Sequence, residues 1–296
     1  IADSIKHVGD TDTLISFPTN DTINFRTAGT ERLRIQSDGY MGLNTTGAQR
    51  LFSVKETNNK ASLLIWRTSE TNGDYSGIDF SGHPSNNGSN YQKGSIYWQT
   101  DGSGFGRGDM VFCNDGEANA DNVAISDEKM RIHKEGHITK PYTPSFFAYG
   151  GNGGRTILPP STKVTFEGVK NSGALNFSGN SRNSGYSTTN SRFTAPVAGV
   201  YHFTVAMYFY SDNAGNICSI VPRVNGNELH NGSDIVFFFS HDVDGNASNQ
   251  DGLTQNGSIT LNLAANDYVE IWRRAGNTGN HYYYKGHSHF CGYLVG

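Results

Sequence analysis

Three groups of side chains in this 296-residue chain have types and spacings that could do chemistry. His287 and His289 lie two apart in HSHFCGYLV. On a strand, that spacing points both imidazoles to one face, where several copies could share a transition metal. The pair equally fits ordinary polar residues at a strand start. Asp242, Asp244, Asn246 and Asp251 fall in HDVDGNASNQD, with Gly245 at a bend. Oxygen donors at alternate positions suit Ca²⁺ in the 242–251 loop, but the glutamate that closes a twelve-residue calcium loop is missing. A solvated acidic loop fits the same residues. Tyr282, Tyr283 and Tyr284 follow GNTGNH. Exposed tyrosines offer rigid contact area with a polar tip, whereas alternate rings could instead pack in a core.

Catalysis is not expected. Glycan cleavage needs paired carboxylates in a groove, and the acids here are scattered. No Ser/His/Asp or HExxH pattern appears, so no catalytic residue is assigned and no cofactor is expected beyond the two metal options. Arg107-Gly108-Asp109 spells an integrin-type tripeptide, and three residues in a Gly-rich loop carry little information. The sequons at Asn20, Asn44 and Asn231 matter only in a chain secreted by a eukaryote.

The elements that must position these groups are strands. Charged residues make up 17% and aromatics 12%, Gly occurs 36 times, and helical periodicity is nearly absent. That pattern predicts an all-β fold. The net charge of −4 sits in residues 1–142, with 14 basic and 18 acidic groups, while residues 143–296 balance at nine of each. Without a basic patch, nucleic-acid binding is not expected. Cys113, Cys218 and Cys291 are far apart and odd in number, which predicts isolated thiols. No run approaches a membrane span, and no signal peptide is visible. The chain begins at Ile1, which suggests a processed or trimmed piece.

Three domains are expected. Residues 1–46 are quasi-repetitive: TDTLISFP, NDTINFRTAG and TERLRIQSDGYMGLNTTG each pair a short alternating run with turn formers. Such runs cannot build a core within one chain, so neighbouring chains must cover their apolar face. Residues 47–142 predict a small antiparallel β domain with strands near 51–55, 62–67, 75–80, 94–99, 109–113 and 129–133. Its end, EKMRIHKEGHITKP, echoes ERLRIQSDGYMGL. Both read Glu-x-(Met/Leu)-Arg-Ile, then a Gly turn and a short strand. Pro141 and Pro144 then mark a linker, since neither donates a ladder hydrogen bond. Residues 143–296 predict nine strands, near 145–149, 162–166, 192–194, 199–210, 217–224, 235–240, 257–263, 268–275 and 290–295, suited to a two-sheet jelly roll. Asn225-Gly226 is a hairpin signal. Alternation places Tyr201, Phe203 and Val205 on one face and Val200, His202 and Thr204 on the other.

Four pieces of the last hundred residues occur in order: RFTAPVAGVYHFTV, VNGNELHNG, NGSITLNLAANDYVEIW and HSHFCGYLV. They resemble the globular heads of complement component 1q, jelly-roll relatives of tumour necrosis factor. The resemblance implies a homotrimer with the last strand near the threefold axis, and hence a ring of His-x-His pairs there. It also implies binding, not catalysis. The wording IADSIKHVGDTDTLISFPTNDTINFRTAGTERLRIQSDGYMGLNTT resembles bacteriophage fibre proteins, especially marine ones (cyanophage-like). Together they imply a trimeric tail fibre, made in the host cytoplasm and carried on the extracellular virion. Its N-terminus would meet tail or baseplate proteins, and its head a host-surface glycan or protein receptor, without membrane insertion. A capsid-mounted fibre or decoration protein and a polysaccharide-depolymerase tailspike are the alternatives. Loops on a rigid scaffold usually carry binding. That selects residues 180–186, 241–250 and 277–284, with Tyr186, Asp242, Asp244, Asn246 and Tyr282–Tyr284 as contacts.

Overall fold

The computed structural model describes residues 3–55, 63–82, 91–151, 154–169, 185–211, 217–242, 253–275 and 281–296. Among them there is no α-helix, only strands and two single 3₁₀ turns, Ile125–Asp127 and Lys285–His287. No helix of the described residues is long and apolar enough to cross a membrane. The chain divides into two compact units, Ile1–Thr68 and Ser69–Gly296.

The first unit is a single six-stranded sheet in chain order: β1 (Ser4–His7), β2 (Asp10–Ser16), β3 (Ile23–Thr27), β4 (Thr30–Ile35), β5 (Met41–Leu43) and β6 (Phe52–Val54). Its turns use Gly9, Ala28-Gly29 and Gly39, all at positive φ. Register aligns Ile5, Ile15, Phe25, Leu33, Leu43 and Val54 in one cross-strand row. The opposite face carries Ser16, Asn24 and Arg34 in the next row. Asn24 donates to Glu31 at 2.6 Å, and Arg34 pairs with Glu31 at 2.7 Å. That guanidinium holds the Glu31 carboxyl below the usual carboxylate range. Both buried apolar clusters of the described residues lie in the second unit, so the apolar row has no core of its own. Short runs alone cannot supply one.

The second unit begins with a five-stranded sheet of β7 (Tyr75–Phe80), β8 (Gly94–Thr100), β9 (Gly108–Asn114), β10 (Glu128–Ile132) and β11 (Ile138–Thr139), paired antiparallel in that order. Tyr97, Val111, Cys113 and Val123 form a small buried cluster on one face. Residues 63–67, expected as part of a strand, form none. The β4–β5 and β10–β11 hairpins match in detail. Gly39 N–H donates to the Gln36 carbonyl at 2.8 Å, and Gly136 N–H to the His133 carbonyl at 2.7 Å. Arg34–Glu31 at 2.7 Å has its counterpart in Arg131–Glu128 at 2.6 Å. Asp109 of the Arg-Gly-Asp tripeptide lies in β9, paired with Arg131 at 2.8 Å.

The rest is a jelly roll of two facing sheets. Its strands are β12 (Ser145–Tyr149), β13 (Arg155–Leu158), β14 (Gly168–Val169), β15 (Tyr186–Ser187), β16 (Arg192–Thr194), β17 (Gly199–Ser211), β18 (Ile217–Val224), β19 (Asn227–Glu228), β20 (His230–Asn231), β21 (Asp234–Ile235), β22 (Phe239–Asp242), β23 (Leu253–Leu263), β24 (Tyr268–Arg273), β25 (His281–Tyr284) and β26 (His289–Leu294). One sheet runs β13-β25-β17-β26-β12-β14, with β23 also paired to β17. The other runs β15-β16-β24-β18-β19, with β22 also paired to β18. Between them Phe146, Phe193, Phe203 and Phe290 pack ring against ring, with centroids 4.9–6.3 Å apart. Asn225 (φ 53°) and Gly226 (φ 81°) make the expected β18–β19 hairpin. Tyr201, Phe203 and Val205 point inward, and Val200 and His202 outward, as alternation requires.

Two expected strands and one expected loop differ. Residues 162–166 make only the isolated bridge Lys163↔Trp272, because Pro159 and Pro160 precede them and Phe166 donates instead to the Ser191 hydroxyl. Residues 235–240 split between β21 and β22. Phe238 and Phe239 are buried, while Phe237 stays 38% exposed. The tyrosine tract, expected in a loop, is strand β25. All three cysteines are free thiols.

Candidate binding surfaces of the C-terminal domain

Two of the expected contact tyrosines pack in or against the core. Tyr186 stacks on Phe146 at 4.9 Å and donates its hydroxyl to the Phe166 carbonyl at 2.9 Å. Burial raises its phenol pKa well above the ordinary value. Tyr283 is 1% exposed, and its hydroxyl reaches the Thr165 carbonyl at 3.3 Å. Tyr283 is therefore corrected from ligand contact to structural ring, while Tyr186 packs against the core from a half-buried position. Alternation along β25 turns Tyr282 and Tyr284 the other way, half-buried. Arg155 lies 4.0 Å over the Tyr282 ring, and Tyr284 meets Tyr208 edge-on at 5.5 Å.

The two histidines do not share a strand. His287 ends the 3₁₀ turn Lys285–His287 and is exposed, while His289 opens β26. The turn is fixed by Ser288, whose N–H donates to the Lys285 carbonyl at 3.2 Å and whose hydroxyl donates to the Tyr284 carbonyl at 2.8 Å. His289 stacks on Phe147 at 5.1 Å, and burial lowers its pKa. The one-strand geometry behind a His-x-His ring is thus absent. Among the described residues, no group of three or more His, Cys, Asp or Glu side chains could hold a metal ion. Asp242 ends β22. Asp244, Asn246, Asp251 and most of the three expected recognition loops lie outside the described residues.

Two outward faces remain. On the sheet containing the last strand, β12, β26 and β17 place Ser145, Tyr293 and His202 in one row. Phe147, Cys291 and Thr204 form the next, then Tyr149, His289 and Ala206. These three rows carry aromatic and imidazole groups and no Asp, Glu, Lys or Arg; Arg155 lies farther along the same face, over Tyr282. Tyr293 is 51% exposed, and burial pushes the Cys291 thiol pKa up.

The opposite sheet's outer face is charged. Arg192, Glu270 and Arg223 align across β16, β24 and β18. Arg192 lies 4.4 Å over the Tyr268 ring and Arg223 4.2 Å over Trp272. The Glu270 carboxylate takes Lys163 at 3.2 Å and the Trp272 indole N–H at 2.9 Å, and Arg223 pairs with Glu228 at 3.0 Å. The Nε atoms of Arg192 and Arg223 are buried without a hydrogen-bond partner. Guanidinium groups pre-set on aromatic rings can meet carboxylates or sulfates on a ligand. The signal for this face was legible in part, since Tyr268-x-Glu270-x-Trp272 alternates. Its arginines come from strands remote in sequence.

Residues 163–295 match the C1q domain family model. The chain is 30% identical over 147 residues to complement C1q tumor necrosis factor-related protein 3 of Homo sapiens, and equally to that of Mus musculus. Each alignment covers 47% of this chain and 53% of the relative, so the chain spans about half the length of the curated relatives it matches. Among solved structures, the globular domain of zebrafish complement 1qA protein is 20% identical with a TM-score of 0.35, covering 52% of this chain and 98% of that one. The Eiger TNF of S. frugiperda is 10% identical with a TM-score of 0.38, covering 52% and 94%.

Proposed function

With residues 163–295 carrying a C1q domain, we propose that the chain is a trimeric adhesin whose C-terminal head binds a cell surface. The observation that carries this reading is that domain joined to a sheet whose apolar row has no core of its own. A chain built this way needs copies of itself, and three heads give avidity to weak single contacts. The uncharged Tyr293–His289 face is the contact between heads. The ligand meets the loops and the Arg192–Glu270–Arg223 face. It is a host-surface glycan or a protein receptor. The setting is a bacteriophage tail fibre, held by its N-terminal strands to tail or baseplate proteins; the fibre-like wording of residues 1–46 supports this. Binding, not bond cleavage, is the role, and a reducing-end assay on host capsule should show no release of sugar. Virions carrying the chain without residues 145–296 should not adsorb to their host. Unchanged adsorption would overturn the reading.

A further inference from the structure

Among the described residues, the sheet formed by β7–β11 is covered on one side only. Its inner face holds Tyr97, Val111 and Cys113, closed by Val123 and Ile125 of the same chain. Arg131, Asp109 and Glu128 lie on that side too, paired with one another. Alternation turns the intervening residues outward. Register then aligns Ile78 with Ile96 and Phe112, and Trp98 with Met110 and Ile132. Ile138 extends the second row, and Phe80 stands beside Ile78 in the neighbouring row. Every one is apolar. Trp98 is 43% exposed, Ile78 44%, Phe80 53%, Met110 38% and Ile138 56%.

Together these side chains bare on the order of 500 Å² of apolar surface, the upper end of what free monomers show. Adding the rim brings the face near the ~800 Å² per partner of a stable interface. We infer that the Ile78–Trp98–Met110 face packs against the same face of other copies of this chain. The apolar make-up of these two rows favours self-packing over a partner of opposite charge, because a face repeated by symmetry needs no electrostatic complement. The tether favours it as well. Residues 140–144 join β11 to β12, and five residues span at most ~18 Å. Heads assembled as proposed above would therefore hold these sheets together at an effective concentration on the order of millimolar. The inference rests on that assembly for its tether, but not for its apolar face.

The test uses the full chain with Met110→Cys or Ile78→Cys, and with Phe105→Cys at a fully exposed loop tip (101% exposed) as reference. Labelling by a polyethylene-glycol maleimide should be at least tenfold slower at Met110→Cys and Ile78→Cys than at Phe105→Cys. A short bifunctional maleimide should link chains through the first two and not through the third. Unmodified chain supplies the background from Cys291. Fast labelling in a preparation that sediments as a trimer overturns the inference and leaves the head assembly standing. Slow labelling without inter-chain links assigns the cover to the chain itself and also overturns it. Fast labelling in a monomer overturns both. Links and protection that survive in a head-interface variant such as Tyr293→Lys uphold the inference and show that the sheet contact does not need the head contact.

Discussion

At the scale of single residues, the jelly roll depends on where a side chain is missing as much as on where one is present. Gly292 sits between the two aromatic walls of the core. A Cβ there would meet Phe203 Cδ1 at 2.5 Å and Phe146 Cε1 at 2.9 Å. Neither ring can retreat, because both are buried against Phe193 and Phe290. Gly292→Ala should therefore destabilise the domain by about 1–3 kcal/mol, read as a lower urea midpoint at unchanged slope. His289 makes the opposite kind of demand. Burial against Phe147 holds its pKa below the ordinary 6.5. The unfolded chain then binds the extra proton first, so stability should fall as pH drops below about 6.5 and go on falling until the folded imidazole also titrates. Denaturation midpoints taken from pH 7.5 to 5 should show that slope, and His289→Gln should flatten it.

At the scale of elements, the clearest test is the pair of matched hairpins. Gly39 (φ 83°) and Gly136 (φ 89°) occupy the same turn position, and a Cβ at either would touch nothing within 4 Å. Gly39→Ala and Gly136→Ala should thus cost only the left-handed backbone penalty, about 1–2 kcal/mol each, and the two losses should agree when each is followed by hydrogen exchange in its own hairpin. A large difference would mean that the two turns carry different loads. This repeat was legible because Glu-x-(Met/Leu)-Arg-Ile and the Gly turn are local signals. So were β17 and β24, where the spacing of Tyr201, Phe203 and Val205 and of Val269 and Ile271 fixes which side faces the core. β25 was not legible. Three consecutive tyrosines hide a period of two, since the buried Tyr283 and the half-buried Tyr282 and Tyr284 are the same residue type. The pairing of β25 with β13 and β17 is also long-range. The Arg192–Glu270–Arg223 row escaped for the same reason, being made by three strands spread over nearly eighty residues. His287 and His289 misled because a 3₁₀ turn interrupts what their spacing presents as one strand.

At the scale of the whole molecule, the chain repeats one device: a sheet with one side finished and the other left apolar. The first sheet does this with its Ile5–Val54 row and the second with Ile78, Trp98 and Met110, while the jelly roll leaves a face around Tyr293 that mixes aromatic and imidazole groups with Ser145 and Thr204. Apolar surface left in water in this way costs roughly 25 cal/mol for each Å² that assembly could remove. In the trimer proposed above, a threefold operation would bring copies of such a face together. The head face is the place to test this, because Tyr293 points away from the Phe203–Phe290 core and can be changed without opening it. Tyr293→Lys would place three ammonium groups in a desolvated contact, where like charges repel and burial of an unpaired charge is costly. The trimer should then dissociate at concentrations at least tenfold above those of the parent chain by sedimentation equilibrium, while the thermal unfolding of the jelly roll stays within a few degrees. An unshifted association constant would mean that the Tyr293 face is not where the heads meet. The alternative contact would then have to be sought on the other sheet, where Arg192, Glu270 and Arg223 would have to be desolvated together.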